Sequence, residues 1–175
     1  AVQGVGNVGR YVCKNLHEAG AGLIVADVNA EAVAYAVENF GAKAVIPDKI
    51  YAQDVDILSP CAMGGILNDD TIPQLKAGIV GGVANNQLAE ARHGRLLHNR
   101  GILYAPDYVI NAGGMLNASG DIFGHYEVNQ VMGRVTDLFE TTLQIFEMAK
   151  QEDRPTSEVA DDLARQKIAA GRGRP

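Results

Sequence analysis

The sequence is poor in positive charge and in cysteine, and it lacks long apolar runs. Its 175 residues hold 15 Lys and Arg against 21 Asp and Glu, a net charge of −6, and no basic or aromatic patch, so we expect no nucleic-acid partner. No apolar stretch reaches about 18 residues, so no membrane span is expected. Two cysteines and the lack of a signal-peptide pattern favour a reducing compartment, and the expected location is cytoplasmic.

The bulk composition is that of an ordinary globular protein with one sizeable core. Hydrophobic residues make up 47% of the chain and charged residues 21%. The first glycine-rich turn comes only three residues after Ala1, whereas a strand usually has about five or six residues. We therefore expect a truncated first strand and a chain that is a fragment of a longer protein.

The turn motif G-x-G-x-x-G stands at Gly4, Gly6 and Gly9, between an apolar strand and an apolar helix pattern. In such a unit the first glycine permits a tight turn, the second lets the backbone approach a pyrophosphate, and the third lets helix and strand pack closely. The pyrophosphate then binds at the positive end of the helix. The next apolar strand ends in Asp27, 18 residues after Gly9, near the spacing of a ribose-binding carboxylate.

Asp27 favours NAD over NADP as the cofactor, because a carboxylate would repel a 2′-phosphate. Two other interpretations of the turn stay open. It is also compatible with a plain glycine turn followed by a capping aspartate, and with the related turns of S-adenosylmethionine enzymes.

Strand and helix patterns alternate along the chain, which predicts an α/β fold with a Rossmann-type, doubly wound parallel sheet. Right-handed crossovers give the strand order 3-2-1-4-5-6. After the truncated first strand, the predicted strands lie at 23–27, 44–46, 55–59, 79–83 and 102–104. The predicted helices lie at about 8–19, 30–40, 72–76, 88–99, 128–149 and 156–170.

Three further segments rich in Asn or Gly follow predicted strands four, five and six, at 60–68, 84–88 and 106–115. Ligands of open parallel sheets bind outside the carboxyl ends of the strands. A nicotinamide needs amide or backbone partners and small residues against its ring, although each Asn alone is equally typical of a turn or a cap. Cys61 has no histidine nearby in sequence to activate it, so we expect a small residue beside the cofactor. The histidines show no ligand spacing, and no metal site is expected.

Four ordered motifs resemble the amino-acid dehydrogenase family, whose members oxidatively deaminate glutamate, leucine, phenylalanine or valine. The likeness is greatest to the leucine-specific members. The motifs lie at 4–9, 60–65 (P-C-A-x-G-G), 84–88 and 104–114.

The resemblance implies a two-domain subunit in which NAD takes a hydride from the amino-acid Cα, and water converts the imine to a 2-oxo acid and ammonia. In the family, two lysines and an aspartate of the N-terminal domain bind substrate and move protons. None of their motifs is in this chain, so no catalytic residue is assigned to it and the fragment alone is expected to be inactive. The implied partners are the small amino-acid substrate, the missing N-terminal domain and further copies in a homo-oligomer.

The resemblance also implies roles for single residues at the strand ends. The residues expected to bind the pyrophosphate and the adenine ribose come first along the chain. Those expected to bind the nicotinamide and its ribose follow. The expected cofactor-binding residues are Gly4, Gly6, Asn7, Val8, Gly9, Asp27, Asn29, Cys61, Ala62, Asn85, Asn86 and Asn111. Leucine-specific members often have Leu in place of Asn85, so either Asn85 or Asn86 contacts the nicotinamide side or the substrate amino group.

Met115 and Ala118 match positions that line the substrate side-chain pocket, where leucine enzymes commonly carry Val. Leucine is the favoured substrate, and phenylalanine or valine stays open, because a methylene in such a pocket is worth only about 1–3 kcal/mol. An NADP-linked glutamate dehydrogenase is disfavoured by Asp27 and by the apolar pocket positions. A non-catalytic NAD-sensing regulatory domain also remains as an alternative.

The expected domain boundary lies where the strand–helix alternation ends. Residues 1–124 are predicted to form the NAD-binding Rossmann domain, and residues 125–175 the C-terminal helices that, in the family, pack toward the missing N-terminal catalytic domain. The long amphipathic pattern at 128–149 is compatible with packing on its own sheet, and equally with bridging to an absent part or another subunit.

Overall fold

The computed structural model describes residues 1–116 and 128–171, and these contain one six-stranded parallel sheet in the order β3-β2-β1-β4-β5-β6. The strands are β1 (Val2–Gln3), β2 (Ile24–Ala26), β3 (Lys43–Ala44), β4 (Ile57–Pro60), β5 (Ile79–Val80) and β6 (Leu103–Tyr104). All five strand pairs are parallel. The predicted fold class and the predicted strand order are confirmed.

Helices connect the strands and follow the sheet. They are α1 (Asn7–Glu18), α2 (Ala30–Phe40), α3 (Arg92–Asn99), α4 (Asp107–Ile110), α5 (Val128–Glu152) and α6 (Thr156–Gly171). Residues 113–116 are also helical, and 3-10 turns lie at Pro47–Lys49 and Ile72–Gln74. Within these two described stretches, no helix is long and apolar enough to cross a membrane.

The predicted helix at 88–99 starts later than expected, at Arg92. Leu88 instead pairs with Leu67 in a parallel bridge, and the Ala89 N–H donates to the Leu67 carbonyl at 3.0 Å. A contact between the loops that follow β4 and β5 therefore overrides the local helical pattern. The predicted helix at 72–76 is reduced to a 3-10 turn that contains Pro73.

Apolar side chains are buried in one cluster that includes α1 and α2 residues and in a second built on β4 and β5. The first cluster holds Val2, Val5, Cys13, Leu23, Val25, Ala32, Ala36 and Ala42. The second includes Leu58, Leu67, Ile72, Val80, Leu97 and Tyr104. Val8 is 56% exposed, because Gly9 and Cys13 form the buried face of α1.

The last helix, α6, packs against α3 and β6. The Thr156 hydroxyl donates to the Tyr104 carbonyl at 2.6 Å, and Arg95 pairs with Glu158 at 2.6 Å. The carboxyl-terminal part of α5 is buried against α6 through Ile145. Apolar side chains of α5 that precede Ile145 remain exposed, and Phe139 among them has 63% of its surface accessible. Both C-terminal helices thus contact other described elements, and α5 also has exposed apolar side chains before Ile145.

Candidate functional site

The glycine turn at the end of β1 admits no side chain at two of its positions. Gly4 has a φ of +93°, and a Cβ there would lie 2.6 Å from the Cβ of Ala62. A Cβ at Gly9 would lie 2.1 Å from the Gly4 carbonyl oxygen. The turn is therefore enclosed between the first helix and the segment that follows β4, as the motif predicts.

Gly6 occupies the N-cap of α1 and differs from its two neighbours in the motif. A Cβ at Gly6 would meet no atom within 4 Å, so this position faces open space. No side chain caps the helix, and its first turn contains no acidic residue. Asn7 and Val8 follow as exposed residues of that turn. An uncapped helix N-terminus beside an open glycine is the arrangement that binds a phosphate group.

Asp27, just after β2, is hydrogen-bonded into the glycine turn. Its Oδ2 accepts from the Val5 N–H at 2.7 Å, and its Oδ1 accepts from the Asn29 N–H at 2.8 Å. The Asn29 side chain caps α2 by accepting from the N–H groups of Glu31 and Ala32. Asp27 therefore lies at the glycine turn, whereas the side-chain oxygen of Asn29 is already used to cap α2.

Cys61 and Ala62 lie beside the same turn, at the end of β4. The Cys61 N–H donates to the Gln3 carbonyl at 2.7 Å, and its Sγ is 3.5 Å from the Ser59 hydroxyl. A Cβ added to Gly9 would be 3.4 Å from the Cβ of Cys61. These contacts place Cys61 next to Gly9, and Ala62 lies against Gly4.

A second group forms at the ends of β5 and β6 and contains Asn85, Asn86 and Asn111, three of the five predicted asparagines. The Asn111 amide Nδ2 donates to the Val83 carbonyl at 2.9 Å and to the Asn85 side-chain oxygen. Asn86 has a φ of 53° and uses its backbone N–H and carbonyl in separate hydrogen bonds. Asn85 and Asn111 thus form a side-chain pair, whereas Asn86 contributes its backbone.

The segment after β4 is directly linked to the Asn85–Asn86 segment. The Gly65 N–H donates to the Asn86 carbonyl at 2.7 Å. A Cβ at Gly64 would lie 2.6 Å from the Asn85 carbonyl oxygen, so glycine is needed at this position for the close approach, and Gly65 has a φ of +70°. The two groups of predicted residues therefore line one edge of the sheet, formed by the carboxyl ends of β1, β2, β4, β5 and β6.

Of the two predicted substrate-pocket residues, Met115 alone lies in the described part of the chain. Met115 lies in the helical residues 113–116 and is 78% exposed. Ala118 lies outside the described residues. Their assignment to a substrate pocket stays a prediction.

A buried polar group that the sequence did not predict lies behind the asparagine pair. Asp107 is 7% exposed, and its two oxygens accept from the Tyr104 hydroxyl at 2.6 Å and from the Asn86 N–H at 2.8 Å. Burial, and then the neighbouring Asp107, raise the pKa of Tyr104 well above its usual range, so its hydroxyl remains a donor. The only signal was an acidic residue between the apolar stretches at 102–105 and 108–110.

The two cysteines are expected to differ sharply in reactivity. Cys13 is fully buried, and burial, followed by the nearby Cys61, raises its pKa to about 11. At pH 8 this leaves about a hundredfold less thiolate than an ordinary cysteine has. A disulfide-exchange reagent should therefore titrate one thiol per native chain and two after denaturation. The Cys61→Ala chain should show none before denaturation, and two fast native thiols would contradict the structure.

The similarity of this chain to known proteins agrees with the family resemblance of its four sequence motifs. The family described as glutamate/leucine/phenylalanine/valine dehydrogenase matches residues 25–170. The chain belongs to this family. Leucine dehydrogenase from Geobacillus stearothermophilus is 52% identical over 168 residues, 96% of this chain and 46% of the relative. Valine dehydrogenase from Streptomyces coelicolor is 40% identical over 177 residues, 99% of this chain and 48% of the relative.

A solved structure of the family supports the fold. The crystal structure of L-tryptophan dehydrogenase from Nostoc punctiforme matches with a TM-score of 0.92 and 46% identity, over 97% of this chain and 51% of that one. The chain therefore spans about half the length of the dehydrogenases it matches. The family resemblance predicted from the four motifs is confirmed. Relatives named for leucine, tryptophan and valine are between 40% and 52% identical to this chain.

Proposed function

We propose that this chain is the NAD-binding half of an amino-acid dehydrogenase that oxidatively deaminates an apolar L-amino acid, with leucine the first candidate. The observation that carries the proposal is the hydrogen bond from the Val5 N–H to Asp27. This hydrogen bond joins the turn expected to bind the pyrophosphate to the carboxylate expected to bind the ribose, beside the uncapped N-terminus of α1. Family membership favours the enzyme over a regulatory NAD sensor, which would need no Asn or Gly-Gly segments at the later strand ends.

The adenosine half of the cofactor fits the residues around α1. Each oxygen of Asp27 accepts one backbone N–H, and a carboxylate offers about four lone-pair sites, so acceptor positions remain for ribose hydroxyls. The open side of Gly6 leaves room for a pyrophosphate against the first-turn N–H groups. The negative charge of Asp27 supports NAD rather than NADP.

The nicotinamide half fits the Asn85–Asn111 pair. Their mutual hydrogen bond uses the Asn85 oxygen and the Asn111 Nδ2. Within 1–116 and 128–171, this leaves the Nδ2 donors of Asn85 and the Oδ1 acceptor of Asn111 for a ligand. A carboxamide offers one acceptor and one NH₂ group, so it complements both. Bound NAD supplies the hydride acceptor of the reaction.

Substrate binding and proton transfer are assigned to the part of its relatives' length that this chain does not span. No catalytic residue is proposed among the 175, and Met115 is proposed to complete the side-chain pocket with residues of that other part. The C-terminal helices are proposed to contact it through the exposed segment of α5 that contains Phe139. Self-association of the whole protein stays a prediction.

Turnover by the protein that contains this chain, compared with turnover by the 175-residue chain alone, tests the proposal. We expect the longer protein to reduce NAD with leucine, valine, phenylalanine or tryptophan, and to prefer NAD to NADP by at least about tenfold. The 175-residue chain should give no steady NADH formation. Steady turnover by the short chain, or a preference for NADP, would refute the proposal.

A further inference from the structure

Asp107 is a buried carboxylate that none of the ligand roles above uses. It accepts from the Tyr104 hydroxyl on β6 and from the backbone N–H of Asn86 in the loop after β5. Hydrogen bonds to a buried charged group are stronger than neutral ones, and losing them leaves the donors unpaired. Asp107 therefore ties the end of β6 and α4 to the loop that carries Asn85.

The residue that Asp107 holds has an uncommon backbone conformation. Asn86 has a φ of 53°, in the left-handed region that non-glycine residues rarely adopt. Its N–H donates to Asp107, and its carbonyl accepts from Gly65. The surrounding hydrogen bonds thus maintain this conformation, and the bond to Asp107 is the one that comes from a side chain.

The short helix α4 connects Asp107 to the asparagine pair. Asp107 is its first residue, and Asn111 caps its end, with the Asn111 N–H donating to the Asp107 carbonyl at 2.9 Å. The Asn111 side chain then binds Val83 and Asn85. Two residues at opposite ends of one helical turn, Asp107 and Asn111, therefore hold the segment 83–86 in place through three hydrogen bonds.

We propose that Asp107 is a positioning residue that sets the Asn85–Asn111 pair for the carboxamide of the cofactor. The inference rests on the proposed NAD site and adds a residue that does not touch the ligand. The glycine turn and Asp27 contact each other at the ends of β1 and β2, apart from the hydrogen bonds of Asp107. Asp107 should thus affect the nicotinamide half of the ligand and spare the adenosine half.

Binding of NADH and of ADP-ribose, which lacks the nicotinamide, tests this separation in the 175-residue chain. Asp107→Ala should weaken NADH binding by about tenfold and change ADP-ribose binding by less than about twofold, because only the asparagine pair loses its support. Asn111→Ala should reproduce the same selective loss. Asp107→Asn should restore most of the affinity, since its amide can accept from Asn86 and donate to the Tyr104 oxygen.

The outcomes separate the inference from the proposed function. A wild-type chain that binds neither ligand would overturn both, whereas normal wild-type binding with an equal loss of both ligands in Asp107→Ala would overturn the positioning role alone. Should Asp107→Ala not fold, Tyr104→Phe decides, because it removes one carboxylate contact and keeps the bond to Asn86. A NADH-specific loss of about threefold supports the role, and an unchanged ratio of the two affinities overturns it.

Discussion

Replacing Gly9 with alanine is expected to lower the free energy of unfolding by about 3 kcal/mol, the upper end of the usual cost of overpacking. The added Cβ would lie 2.1 Å from the Gly4 oxygen and 2.9 Å from the Gly4 carbonyl carbon. Both are backbone atoms. Gly4 cannot shift easily, because its N–H donates to the Ala26 carbonyl at 2.8 Å and Ala62 lies against its other side. Helix α1 must therefore move away from the strand.

Urea unfolding followed by circular dichroism measures this loss, and Gly22→Ala is the matched control. Gly22 precedes β2, has no positive φ, and a Cβ there would meet no atom within 4 Å. Its replacement should change the free energy of unfolding by less than about 1 kcal/mol, in either direction. Equal effects of the Gly9 and Gly22 substitutions would show that α1 does not pack on the turn as described.

The Gly6→Ala chain is expected to remain folded and to lose at least about tenfold in NADH affinity, or about 1.4 kcal/mol. Gly6 has a φ of −68° and a ψ of −157°, outside the left-handed region that requires glycine, and the Cβ of alanine would point into open space. The proposed pyrophosphate occupies that space, so the methyl group would hold it away from the first-turn N–H groups. Fluorescence titration with NADH, with thermal unfolding in parallel, gives both quantities.

Gly78→Ala is the matched control for the Gly6 substitution. Gly78 stands just before β5, at the opposite edge of the sheet from the proposed site, and a Cβ there would also meet open space. We expect its NADH affinity to equal that of the unaltered chain. If Gly6→Ala bound NADH as tightly as Gly78→Ala, the pyrophosphate could not lie against Gly6.

The architecture could be predicted from the sequence because its signals are local. Alternating strand and helix patterns imply parallel βαβ units, and the fixed handedness of their crossovers gives the strand order. Element ends were less predictable. The helix expected to begin at Leu88 begins at Arg92, because Leu88 pairs with Leu67, a residue 21 positions away that no local pattern includes.

The residues of the site also differ in whether their signal is local in the sequence. Gly4, Gly9 and Asp27 belong to a motif with fixed spacing, and the structure brings them together as that motif predicts. Asp107 was missed because its partner, the N–H of Asn86, is a backbone group 21 residues away. A buried carboxylate is recognisable only when the fold shows what it binds, whereas a glycine turn is recognisable from the glycines themselves.

Calorimetric titration of the folded 175-residue chain with NADH, and separately with NADPH, tests the central claim most directly. We expect one NADH site per chain and at least about tenfold weaker binding of NADPH, because Asp27 would face the 2′-phosphate. Absence of any NADH binding, or equal affinity for NADPH, would contradict it.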